Sequence, residues 1–352
     1  MQRYKLTQAT YYYFNMLSAE EKNLYKTFLF AILNIKETIS INSKLSSDSI
    51  QKILRYIIND RPDIFWFNGK CTISSQGNMI VGLTFDYMYS HSQIIQTINS
   101  IVNSRFYNEI NSLIEKEEND FKKALVAYEY IIKQTDYEEK ALSSSDKYFD
   151  YAYGIDGVVL KKRAVCSGYA KTFQYFMSKH HVVCTLVTGE TERERHAWNL
   201  INLYGSYYYI DTTWGDPIFS KQKTPDPNYI SYDYFCFTTD ELKKSHNPKL
   251  DERMPVCTDT KYNYYKYFGM LDDVYSIKNV ANHIVRAKKN GKKEAVIKYS
   301  TQMAYKNAVL NLFEKKEVFE ALKSAHALCS SINVKRIEYS TDDKTNVIKI
   351  SL

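Results

Sequence analysis

Ala164-Val-Cys166-Ser-Gly168-Tyr-Ala-Lys171, His196-Ala-Trp198-Asn199 and Tyr209-Ile-Asp211-Thr-Thr-Trp214-Gly-Asp216-Pro217 bring a thiol, an imidazole and a carboxylate into one stretch of chain. Six of the eleven glycines and two of the three tryptophans fall between residues 154 and 215. A chain this sparing with both types has gathered them where close backbone approach and ring packing are demanded. In the first block Cys166, Tyr169, Ala170, Phe173 and Met177 recur at helical spacing, which puts the thiol in the first turn of a helix. Free N–H groups and the positive end of the dipole favour a thiolate at such a position. Gly168 weakens that helix unless another segment passes close to it. The competing reading of this block alone is a buried cysteine at a helix start.

The second and third blocks are the arms of a hairpin. If Tyr204-Gly205 is a two-residue loop, Leu203 pairs with Ser206 and, counting back, Trp198 lies opposite Asp211. His196 then shares a sheet face with Asp211 and sits diagonal to it, about 7 to 8 Å away between backbones. A four-residue loop keeps this register, whereas a three-residue loop shifts it by one and separates the two residues onto opposite faces. The chemistry needs them together. A free thiol with a pKa of about 8.5 is mostly protonated at neutral pH, so an imidazole must take its proton and a carboxylate must hold the imidazole in the right tautomer. Cys166 is thus expected as nucleophile, His196 as base and Asp211 as orienter, with the Cys166 N–H as one donor to an oxyanion. Tyr153 is a candidate second donor, with packing as its alternative. Trp198 and Trp214 are candidates to line the cleft. Asn199 points away from His196, and Asp216 before Pro217 reads as a turn residue.

Val165-Cys166-Ser-Gly168-Tyr169-Ala170, with His196-Ala-Trp-Asn199 thirty residues on and Tyr209-Ile-Asp211-Thr-Thr-Trp214-Gly-Asp-Pro217 after it, resembles the transglutaminase-like superfamily of papain-type thiol enzymes. It is most similar to bacterial members and to the transglutaminase/protease-like domain named after a cytokinesis protein. The resemblance covers about residues 120 to 217. Asp60-Arg-Pro-Asp-Ile-Phe-Trp66 and Tyr234-Phe-Cys-Phe237 are similar to flanks of bacterial members with less specificity. It implies an α+β fold with a papain/transglutaminase-like core, in which a Cys-bearing helix packs on an antiparallel sheet carrying His and Asp. It also implies thioester chemistry on Cys166 with an amide of a protein or peptide as substrate. Peptidase, deamidase and cross-linking activities, and an inactive scaffold that binds a protein partner, all stay open within it.

At 352 residues the chain exceeds a single core of about 250 to 300. We read a helical and β-hairpin unit over residues 1–115, a catalytic core over 116–257 and a small α/β unit over 258–352. Composition (44% hydrophobic, 25% charged) is that of a globular protein. No 18-residue apolar run spans a membrane. The N-terminal residues lack the apolar core of a secretory signal, so a cytoplasmic protein is expected unless a signal has been removed. Six dispersed cysteines without a CxxC pair suit a reducing compartment and argue against a structural zinc. The five outside the motif are expected as small buried hydrophobes. No cofactor or metal is expected. A net charge of +7 without a dense basic run gives no expectation of nucleic-acid binding.

Elsewhere, the capping box Ser18-Ala-Glu-Glu21 starts one helix, and a second runs from Ser47 until Pro62 ends it at Arg61. Ile64–Phe67, Asn68-Gly69 and Cys71–Ser74 read as a β-hairpin, followed by a strand over Met79–Tyr87. Residues 92–134 read as two helices joined at Glu115–Asn119. Glu138–Asp146 and Pro217–Asn228 read as loops, Tyr229–Phe237 as extended and Thr239–Leu242 as a helical turn. A helix over Ile277–Lys289 stopping at Gly291, a strand Ala295–Ser300, two helices between Thr301 and Ser330, and strands Val334–Tyr339 and Val347–Ser351 complete the chain.

Overall fold

The computed structural model describes residues 11–352 apart from 145, 193, 217–229, 249–253 and 333–336. The expected loop over Pro217–Asn228 and the first half of the expected strand Val334–Tyr339 lie outside the described residues, and of the other half only Tyr339 is in a strand. The architecture is α+β, and the chain divides into two compact units between Asp259 and Thr260.

In the first unit a short helix α1 (Tyr12–Asn15) precedes α2 (Ala19–Leu33), which begins with the capping box between Ser18 and Glu21. Strand β1 (Thr38–Ser43) leads to α3 (Ser47–Asp60). Asp60, buried at the end of α3, accepts from the Tyr13 and Phe14 N–H groups at 2.9 Å each and from the Tyr25 hydroxyl at 3.0 Å, so one carboxylate ties α1 to α2 and α3. The hairpin is not where Asn68-Gly69 pointed. Residues Phe67–Gln76 form one strand, β2, in which Gly69 at φ +91° makes a bulge with a register shift between Phe67 and Cys71. The reversal comes at Gly77 (φ +57°), before β3 (Met79–Tyr87). An αL glycine serves a bulge as well as a turn, and Ile64, Phe65 and Trp66 are spent on buried packing instead of pairing. The three strands align as β1-β3-β2.

Three helices follow, not two: α4 (His91–Asn103), α5 (Arg105–Glu115) and α6 (Asp120–Gln134). Ser104 makes the additional break. It ends α4, and its hydroxyl caps α5 by accepting from the Tyr107 N–H. After α6, the two-residue strand β4 (Asp136–Tyr137) runs parallel to β5 (Arg163–Ala164), pairing Tyr137 with Ala164. The expected loop after β4 contains a short helix, α7 (Glu139–Ser143).

Helix α8 (Cys166–Lys179) starts at the cysteine, as its spacing predicts, and packs on β6 (Cys184–Glu190) and β7 (Arg195–Leu203). Cys166 and Ala170 on its inner face meet Leu186 and Ala197. Asn199 fastens the contact by donating from Nδ2 to the Ala170 carbonyl at 3.0 Å. Strand β8 (Ser206–Ile210) returns through Tyr204 (φ +55°) and Gly205 (φ +94°), and Leu203 pairs with Ser206 as a two-residue turn requires. With β9 (Phe235–Phe237) and β10 (Asn247–Pro248) the sheet is antiparallel in the order β10-β6-β7-β8-β9. The capping box at Thr238 opens α9 (Thr239–Leu242).

Gly168 shows why the helix accepts its cost. A Cβ there would lie 2.6 Å from the Ala152 carbonyl oxygen and 2.7 Å from the Ala164 Cβ, so the segment before the cysteine rests on the helix backbone itself. Gly168→Ala is therefore expected to destabilise the fold by about 1 to 3 kcal/mol through overpacking. A lower thermal midpoint than that of the unmodified chain is the measurement that checks it.

The second unit contains α10 (Tyr264–Tyr267), β11 (Leu271–Asp272), α11 (Ile277–Lys289) and β12 (Glu294–Tyr299). Helix α12 (Gln302–Val309), a π-helical turn over Leu310–Glu314 and α13 (Val318–Leu328) precede β13 (Tyr339–Asp342) and β14 (Val347–Ser351). Its mixed sheet runs β11-β12-β14-β13 over its own core, which includes Ile284, Ile297, Leu322 and Ile348. Among the described residues no helix is long and apolar enough to cross a membrane.

Candidate active site

The hairpin delivers His196 and Asp211 to each other. His196 lies on β7 and Asp211 just past the last residue of β8, with the Asp211 N–H bonded to the Tyr234 carbonyl at 2.9 Å. His196 Nε2 meets Asp211 Oδ2 at 2.8 Å. The other carboxylate oxygen, Oδ1, accepts from the backbone N–H groups of Thr213 (2.9 Å) and Trp214 (3.1 Å), which explains why a tight turn follows the strand. Burial alone would raise the Asp211 pKa, but the facing histidines, His196 first, hold the carboxyl well below the usual range. Burial likewise disfavours a charged His196. The Asp211 charge, followed by the charge of Cys166 and the hydrogen bonds of both, outweighs it and raises His196 to about 10.

A third residue occupies the carboxylate. His246 Nε2 meets Asp211 Oδ2 at 3.1 Å, on the oxygen that His196 uses. Among the described residues, candidate ligand atoms of His196, Asp211 and His246 all lie within 4.8 Å of one another. Each of the three is already hydrogen-bonded within the trio. The Cys166 sulfur is not part of this cluster. Cys166 stands at the start of α8, and its charge is among the influences that raise the His196 pKa. Cys166 keeps 8% of its surface, against 2% for His196 and 0% for Asp211, so the cysteine is the least enclosed of the three.

Two tryptophans wall the imidazoles. Trp198 is fully buried and stacked on His196 at 6.0 Å with a 25° interplanar angle. Trp214 lies 5.6 Å from His196 and 4.5 Å from His246. The Tyr153 hydroxyl donates to the Ala141 carbonyl at 3.0 Å, which directs it to α7. Its carbonyl accepts from the Ser167 hydroxyl at 2.8 Å. Tyr137 lies on the other side of the nucleophile's segment, and its hydroxyl pKa is pushed well above the usual value by burial and then by the Cys166 charge. The β4–β5 pairing puts Tyr137 there, and its ring lies 6.3 Å from that of Tyr169. Asp216 is more than a turn residue, because its buried Oδ2 accepts from the Tyr169 hydroxyl at 2.9 Å.

Sequence reasoning missed Tyr137 and His246. Nothing separates Tyr137 from the other tyrosines among 32. For His246 there was one usable signal: an imidazole between the capped turn Thr238–Leu242 and Pro248, close behind the motif. All six cysteines are free. Burial pushes Cys184 and Cys236 far up and Cys257 to about 11, in keeping with small buried hydrophobes. Cys71 and Cys329 depart from that expectation in being only half-buried, and the Ser331 hydroxyl lowers the Cys329 pKa.

No family model matches the chain. Over 142 residues it is 22% identical to mouse (Mus musculus) kyphoscoliosis peptidase, a match that takes in 37% of this chain and 21% of that protein. The chain thus spans about a fifth of the length of the curated relative it matches. Among solved structures it is similar to a TGase (17% identity, TM-score 0.27, 50% of each chain). It is also similar to a candidate cysteine protease from Cytophaga hutchinsonii (17% identity, TM-score 0.25, 40% of this chain and 53% of that one).

Proposed function

We propose that the chain is a cysteine-dependent acyl-transfer enzyme that acts on an amide of a protein or peptide through a thioester on Cys166. The buried His196–Asp211 hydrogen bond is the observation that carries this reading, and the influence of the helix-borne Cys166 charge on the same imidazole supports it. The distant likeness to a protein named a peptidase is compatible with it. His196 Nε2–H donates to Asp211, which leaves Nδ1 to take the thiol proton. The sulfur then attacks the amide carbonyl carbon, a C–S bond forms, and the carbonyl electrons move onto oxygen. Collapse breaks the C–N bond, and the amine leaves with the proton from His196. Water or a second amine attacks the thioester, His196 takes its proton, and the thiol is regenerated.

The oxyanion needs donors. We assign the Cys166 N–H at the start of α8 and, because its hydroxyl feels the Cys166 charge while that of Tyr153 donates to Ala141, the Tyr137 hydroxyl. Tyr137→Phe keeps the ring and removes the hydroxyl, so amide turnover is expected to fall about 100-fold. Alkylation of Cys166 by iodoacetamide builds no oxyanion and is expected at its original rate. If both fall together, Tyr137 supports the fold and not the oxyanion.

Mass spectrometry of glutamine-containing peptides incubated with the protein, with and without a primary amine, tests the reaction itself. Cleavage, deamidation or amine incorporation identifies the second half-reaction. The proposal fails if none appears and Cys166 forms no adduct with an electrophilic amide mimic.

A further inference from the structure

We propose that His246 is a positioning residue: a neutral imidazole that donates Nε2–H to Asp211 Oδ2, fixes where that carboxylate points, and limits how strongly it holds the His196 proton. It rests on the preceding reading only in that Asp211 serves a base.

Both His246 nitrogens are accounted for. Nε2 lies 3.1 Å from Asp211 Oδ2, and Nδ1 lies 2.8 Å from the Ser245 hydroxyl. An ionised carboxylate only accepts, so Nε2 carries the proton and Nδ1 accepts from Ser245. The ring is enclosed by Trp214 at 4.5 Å, Trp198 at 4.8 Å, Phe237 at 6.0 Å and Tyr234 at 6.3 Å. In that apolar box burial lowers the His246 pKa, and the neighbouring His196 adds to this while Asp211 opposes it. A leucine or phenylalanine would fill such a box without the cost of burying two polar nitrogens, so the imidazole is explained by what it donates to.

The backbone is built to bring it there. The His246 N–H donates to the Leu242 carbonyl at 2.8 Å, and β10 follows at once, with Asn247 and Pro248 paired to Glu190 and Gly189. A Cβ at Gly189 would collide with the Asn247 carbonyl and the Trp198 ring, so only glycine lets β10 come this close. Asp211 thereby accepts four hydrogen bonds, two at each oxygen. A carboxylate so saturated cannot rotate without losing donors, and its charge is shared among them. The titratable groups facing this trio are Cys166 on α8, Tyr128 on α6, Tyr137 on β4 and Tyr234 before β9.

The test is NMR of the full chain with labelled histidine. His246 is expected to be the neutral Nε2–H tautomer at about pH 7 and above; an Nδ1–H tautomer or a charged ring there overturns the proposal. In a Cys166→Ala background, which removes the thiol's own titration, His246→Leu is expected to raise the His196 midpoint by about half a pH unit or more. His246→Gln still offers an N–H and is expected to restore it. Equal midpoints in the three chains, or failure of glutamine to restore the midpoint, overturn the assignment. Should the leucine variant not fold, the tautomer in the unmodified protein decides. None of these readings requires Cys166 to be a nucleophile, so an inert thiol would sink the proposed reaction and leave His246 to be judged separately.

Discussion

Cys166→Ala is expected to abolish amide turnover, a loss of about 10⁵- to 10⁶-fold, while the chain still folds. The side chain lies against Ala170, Leu186 and Ala197, so alanine removes one sulfur from an apolar contact. Labelling checks the assignment without any knowledge of the substrate. A thiol-directed probe at neutral pH should mark Cys166 and also Cys329, which is half-buried and has a lowered pKa. Cys184 and Cys236, pushed up by burial, should stay unlabelled in the native protein. His196→Ala should suppress labelling at Cys166 and leave Cys329 as it was. Equal labelling of Cys166 with and without His196 would mean that the imidazole does not serve the thiol, and the proposed reaction would lose its base.

Asp211→Asn is expected to lower turnover by about 10³- to 10⁴-fold, because an amide reverses the tautomer logic. If the amide oxygen keeps the Thr213 and Trp214 N–H groups, its nitrogen faces His196 and His246, two groups that must now accept. His196 then carries its proton on Nδ1 and cannot take one from the thiol. The fold suffers too, since removing one charge of a buried pair costs about 3 to 5 kcal/mol. The pH dependence has a definite sign. The depressed Asp211 pKa contributes stability above its ordinary value of 3.8, and this is lost as pH falls through the lower folded value. The raised His196 pKa contributes below its ordinary value of 6.5, and this is lost as pH rises through about 10. The gap in melting temperature between the unmodified chain and Asp211→Asn should therefore be widest between these ordinary values and should shrink toward pH 10. A gap that does not change with pH would mean that the charges of this pair do not couple to folding.

The sequence by itself determined what short-range periodicity controls. Helical spacing put Cys166 at the start of α8, and a two-residue turn at Tyr204-Gly205 set the strand register that brings His196 and Asp211 to one face. These follow from the 3.6-residue and two-residue repeats and from the backbone freedom of one glycine, all read within a few residues. Tertiary structure decided the rest. Asn68-Gly69 is equally apt for a turn and a bulge, and the burial of Ile64–Trp66 selected the bulge. Tyr153 was nearer the nucleophile in sequence, yet its hydroxyl is taken by Ala141. Tyr137 reaches Cys166 through a two-residue parallel bridge, and His246 returns to Asp211 from 35 positions away. Elements that short carry no periodicity, and contacts between such distant positions depend on where whole segments pack, so no local pattern in the chain encodes them.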